Sequence, residues 1–181
     1  MSLTTATLIP GLLLFAFGTL LLIGGRSAGT FCKALPRSPA AAVVLFGGAA
    51  AWFLFDLAHI SNADLIVFSS PTPLVVGFGL LAVLSFKYAP DFLAVRGLAA
   101  LALLAASPLL TAGFMNFAHW QINFYKVAVY VAIVLGIWLG AQPWRLRDFL
   151  NWLFARPGRP MGLGGLFAGY GLLLVVVAFT Y

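Results

Sequence analysis

Glutamate does not occur in this chain, and only four aspartates do: Asp56, Asp64, Asp91 and Asp148. Carboxylate chemistry therefore has four candidates at most. Charged residues of both signs make up 8% of the 181 positions, against about 25% in an ordinary soluble domain. A water-facing surface needs more charge than that, so the composition argues against a soluble globular fold. Cysteine appears once, at Cys32. That excludes an internal disulfide and a Cys-rich zinc or iron–sulfur site, and the residue reads as a small apolar filler at a membrane edge. HExxH, P-loop and GxSxG patterns are missing as well. No catalytic residue and no metal site can be named, which argues against an independent enzyme.

Apolar residues fill the space instead: 63% of the chain is hydrophobic, with a mean hydropathy of +1.07. Six runs reach or approach the roughly 20 helical residues needed to cross a hydrocarbon core of about 30 Å. They are expected at about 7–24, 40–60, 73–88, 91–114, 116–141 and 161–181. The fold class that follows is an all-α integral membrane protein, a single bundle of six transmembrane helices. No basic residue precedes the first run, as one would in a secretory signal peptide, so that run reads as a retained span. Pro39 suits the first turn of the second span. The third is short and ends at Lys87 and Tyr88, which can snorkel. Pro108 is expected to kink the fourth, because it has no N–H to donate.

The formal net charge of +6 is distributed with a pattern. With six spans, the loops 25–39, 87–96 and 142–160 fall on one side. They hold Arg26, Lys33, Arg37, Lys87, Arg96, Arg145, Arg147, Arg156 and Arg159, every basic residue except Lys126. The positive-inside rule makes that side cytoplasmic in a bacterial-type inner membrane, with both termini on the other side. The charge reads as topology rather than nucleic-acid binding, since no basic face accompanies exposed aromatics.

Within 142–160, Leu146, Phe149, Leu150 and Leu153 recur at helical spacing. An interfacial amphipathic helix is expected there, with Arg145, Arg147, Arg156 and Arg159 meeting anionic lipid headgroups or a cytoplasmic partner. The small-residue patches Gly165-x-x-x-Gly169 and Gly47–Ala51 are expected to let helices approach closely.

Charges inside spans cost roughly 2.5–3.5 kcal/mol each and ask for partners. Trp52, Asp56 and His59 share one face of the second span. Asn116, His119, Asn123, Lys126 and Tyr130, at offsets of three, seven, ten and fourteen, would share one face of the fifth. Both faces start from the outer boundary. The expectation is one outer-side polar cluster of Asp56, His59, Asn116, His119, Asn123, Lys126 and Tyr130, in which Asp56 and Lys126 neutralise one another. Trp120, Phe124 and Tyr125 would form an aromatic girdle beside it.

Three functions fit such a cluster. The chain could be a non-catalytic accessory or structural subunit of a larger membrane-protein complex, the reading its composition favours. It could be a redox subunit in which His59 and His119 ligate haem b or hold a quinone. It could be a proton or small-solute transporter, although beyond Tyr130 the same face offers only residues such as Val134, Ile137 and Trp138. The stripe stops halfway.

Overall fold

A computed structural model describes residues 1–61, 70–116 and 119–181, apart from the side chain of Arg26. Every element among them is helical: α1 (Leu3–Ile23), α2 (Gly25–Ala34), a 3₁₀ turn (Leu35–Arg37), α3 (Pro39–Ala58), α4 (Thr72–Tyr88), α5 (Leu93–Ala112), α6 (Ile122–Ala141), α7 (Trp144–Leu153) and α8 (Gly158–Ala178). Local chemistry sets several starts. The Ser2 hydroxyl accepts from the Thr5 N–H at 3.2 Å, and that of Ser38 from the Ala41 N–H at 3.2 Å, with Pro39 in the first turn of α3 where a missing N–H costs nothing.

Five helices, α1, α3, α5, α6 and α8, are long and apolar enough to cross a membrane. Only 11–33% of their most apolar stretches is buried within the chain. So much unburied apolar surface requires a non-aqueous surround, and the protein is a multi-pass membrane protein. The third expected span is the apolar helix α4, whose 17 residues leave it shorter than the rest.

The closest pairing joins α1 and α8, which run antiparallel with their backbones nearly touching. Gly11 and Gly18 on one helix face Gly171 and Gly164 on the other. A Cβ built on Gly18 would lie 2.8 Å from the Gly164 carbonyl oxygen, and one on Gly171 2.7 Å from that of Gly11. In lipid, where apolar side chains gain nothing by leaving solvent, such backbone proximity supplies the packing. A Cβ added to the glycines expected to play this part, Gly165 and Gly169, or to Gly47 or Gly48, would meet nothing within 4 Å among the described residues. Close packing is thus real but falls on the Gly164, Ala168 and Gly171 face of α8.

Next to this pair, α5 packs along both α3 and α6. A core of Ala6, Ala106, Leu109, Ile122, Tyr125, Val129 and Leu174 fills the junction of α1, α5, α6 and α8. Gly97 lets α5 meet the α3 backbone at Phe46. α4 lies at the periphery and buries none of its residues. Two edge-to-face aromatic pairs tie it to α3: Phe53–Phe78, with ring centres 5.3 Å apart, and Phe46–Phe86 at 5.5 Å.

The segment 25–39, expected to be a loop, contains the amphipathic helix α2, which packs against α7. Lys33 lies 6.0 Å from the Phe154 ring centre. At the same end Phe92 takes a left-handed backbone, φ 57°, and its ring receives Arg37 at 5.3 Å and Arg147 at 5.8 Å. These cation–π contacts join the starts of α3 and α5 to α7. The helix expected within 142–160 is α7, with Leu150 and Leu153 buried in the bundle. Its two arginines are held by the chain itself, as is Arg159 at the start of α8: Arg147 pairs with Asp148 at 2.8 Å, Arg145 donates to Gln142 at 3.0 Å and Arg159 to the Trp152 carbonyl at 2.7 Å.

Cys32 is buried on α2, and burial pushes its thiol above the usual range. Maleimide labels thiolate, so in intact protein near neutral pH Cys32 is expected to react more slowly than after unfolding. Mass spectrometry of time-quenched samples measures this. Equal rates would place the thiol at the surface.

Candidate functional site

The fifth expected span starts six residues late. Helix α6 opens at Ile122, so Asn116 and His119 precede it. Only Asn123, Lys126 and Tyr130 of the five-residue stripe share its face. The turn that begins with Gly113, and in which Met115 takes φ 54°, brings the earlier residues round. Asn116, His119, Trp120, Asn123 and Lys126 line a small cleft of about 260 Å³ beside Gly113. Lys126 is half-buried there. Tyr130, exposed and a turn further along, is not part of its wall.

Asp56 lies elsewhere. Helix α5 stands between α3 and α6, each of which packs on it, and Asp56 shares a cleft of about 740 Å³ with Trp52, Ser107, Pro108, Thr111 and Met1 among others. No ion pair joins Asp56 to Lys126 among the described residues. The expected cluster is therefore split, with Asp56 in one cleft and Asn116, His119, Asn123 and Lys126 in another, and no ion pair neutralises the two charges among the described residues. Asp64 lies outside the described residues.

The histidines belong to different neighbourhoods. His59, exposed at the end of α3, holds its Nδ1 2.8 Å from the Phe55 carbonyl oxygen. Since a carbonyl only accepts, Nδ1 carries the proton. Its ring centre lies 4.4 Å from that of Phe55. His119 instead sets its ring edge-on to Tyr181 at 5.5 Å, and Tyr181 Oη accepts from the Thr7 hydroxyl at 3.3 Å. His119 lines the Lys126 cleft; His59 does not. Among the described residues no group of three or more His, Cys, Asp or Glu is placed to hold a metal.

Of the expected girdle, Trp120 is 69% exposed and packs on Phe124. Tyr125 departs from expectation. It is fully buried, and its hydroxyl donates to the Leu109 carbonyl at 3.3 Å, locking α6 to α5. Tyr170 does the same between α8 and the Phe124 carbonyl at 2.8 Å.

The polar lining supplied by α5 has no counterpart in the expected cluster. Ser107 and Thr111 lie four apart on that helix, and the Thr111 hydroxyl donates back to the Ser107 carbonyl at 2.8 Å. Pro108 has no N–H, so the Leu104 carbonyl loses its ordinary helical partner. The Leu104–Ser107–Thr111 spacing carried this signal, hidden by the expectation of a mere kink.

Comparison with family models, curated proteins and solved structures finds no match to this chain. Its function rests on its own geometry.

Proposed function

We propose that the protein is a non-catalytic subunit of a larger membrane assembly, with six crossings, its basic end in the cytoplasm and both termini on the opposite side. The crossing count is supported by direction. Arg37, just before α3, meets Phe92, just before α5, while residues near the two helix ends share the Asp56 cleft. The two helices run parallel, so the chain between them returns across the bundle, and α4 is the helix available to do it. Its 17 residues span about 25 Å at 1.5 Å each, and Lys87 and Tyr88 at its end extend the reach.

The observation that carries the subunit reading is Lys126. It is the basic residue at the end opposite the others, half-buried and joined to no carboxylate among the described residues. A cation at this depth calls for an anionic partner, and a carboxylate on a neighbouring subunit's helix supplies it.

Purification in mild detergent, followed by identification of co-purifying chains, tests this. Wild type is expected to bring down reproducible membrane partners, and Lys126→Met, which keeps the apolar stem, to lose at least about tenfold of them, as a charge-assisted contact of this kind commands. A single-component wild type, or full retention by the variant, overturns the reading. Asp64→Asn is the control: if it abolishes partner binding as Lys126→Met does, the charge is neutralised within the chain.

A further inference from the structure

The Asp56 cleft does not stand alone. It shares the Leu103–Leu104 wall with an apolar slot of about 380 Å³ between α3, α4 and α5. The slot runs beside Ala49, Ala50, Phe53, Leu81 and Ala82, between the two aromatic pairs that hold α4 to α3. From Asp56 to Phe46, the deepest α3 residue lining it, is about 15 Å along the helix at 1.5 Å per residue. Asp56 lies in the last turn of α3, the end at which a spanning helix would meet headgroups. A carboxylate at the rim above an apolar slot suits an amphiphile with a cationic head and an apolar chain.

We propose that this cleft and slot bind an amphiphile bearing a primary ammonium. Residues that line the cleft carry three acceptors for the head: the Asp56 carboxylate, the Ser107 hydroxyl and the Leu104 carbonyl, which Pro108 leaves without its usual helical N–H donor. They match the three N–H donors of an ammonium group, and the Trp52 ring offers a cation–π face. No Lys or Arg side chain lines the cleft, and the other charged group there is the Met1 amine. The apolar chain would occupy the space beside the loosely held α4. This site is separate from the Lys126 cleft, and the inference stands whether or not the subunit reading does.

Native mass spectrometry of the full chain from neutral maltoside micelles tests it, with four probes: dodecylammonium, phosphatidylethanolamine, phosphatidylglycerol and dodecanol. Dodecylammonium or phosphatidylethanolamine is expected to bind at one site, and which of the two binds tells a free amine from a membrane lipid. Phosphatidylglycerol and dodecanol are expected to bind at least about tenfold more weakly, the worth of a charge-assisted hydrogen bond. Asp56→Asn is expected to lose that preference, and Asp56→Glu to restore most of it. Ala82→Phe, on a helix that buries none of its residues, is expected to weaken dodecylammonium but leave butylammonium unchanged. Circular dichroism checks that each variant is folded. Equal binding of all four probes, or an Asp56→Asn chain that keeps the preference while folded, overturns the proposal.

Discussion

Gly18→Leu is expected to prise α1 from α8 and to lower stability by about 3 kcal/mol, the upper end of what overpacking costs. The new side chain would meet backbone rather than a movable side chain: the Ala168 Cα and Gly164 carbonyl oxygen already stand 2.8 Å from an ideal Cβ. Backbone cannot step aside without shifting the whole helix. Denaturant titration in micelles, followed by circular dichroism, measures the loss. Gly165→Leu and Gly169→Leu, on open surface, are expected to stay within about 0.5 kcal/mol of wild type. If the two sets exchanged places, the glycine face of α8 would be the wrong one.

Tyr125→Ala is expected to be comparably severe, at about 3–5 kcal/mol, the range for emptying a fully buried aromatic site. Tyr125 is entirely enclosed where α1, α5, α6 and α8 meet, so little can collapse into the void. Tyr125→Phe isolates the hydroxyl's bond to Leu109 and is expected to cost about 1 kcal/mol. The same titration reads both. Equal losses for the two variants would mean that the hydrogen bond, not the ring, holds α6 to α5.

Much of the fold is legible in the sequence because one property dominates it. Long apolar runs interrupted by Arg, Lys and Pro delimit helices whether or not their neighbours are known, and five of the expected spans appear as helices long and apolar enough to cross. Where a helix boundary depended on its neighbours, the reading slipped. Asn116 and His119 have helical spacing with Asn123, but both lie ahead of α6, and Trp120 and Gln121 fold as a turn. The polar stripe could not reveal this, since Asn and His sit as readily in a turn as on a helix face. Segment 25–39 hides α2 because its charges made it look like a loop.

The candidate site was legible as a set of residues but not as an arrangement. Asp56 and Lys126 stand out as charges in apolar runs, and depth alone suggests that they meet. What keeps them apart is α5, whose place between α3 and α6 follows from the contact of Gly97 with the Phe46 backbone. A glycine in an Ala/Leu-rich run announces no such partner. The same blindness explains why Gly165 and Gly169 looked more promising than Gly164 and Gly171: spacing identifies a small-residue face but not which face is covered.

The pairing of α1 with α8 also fixes an order in time. α1 is made early and α8 late, so the glycine face of α1 stays without its counterpart while every helix between them is synthesised. Contacts between distant parts of a chain form slowly, and exposed surface in the interval invites recognition by chaperones and proteases. A chain interrupted before Gly158 would carry that bare face permanently. The joint that locks the finished bundle is thus also a mark by which an unfinished one can be told apart.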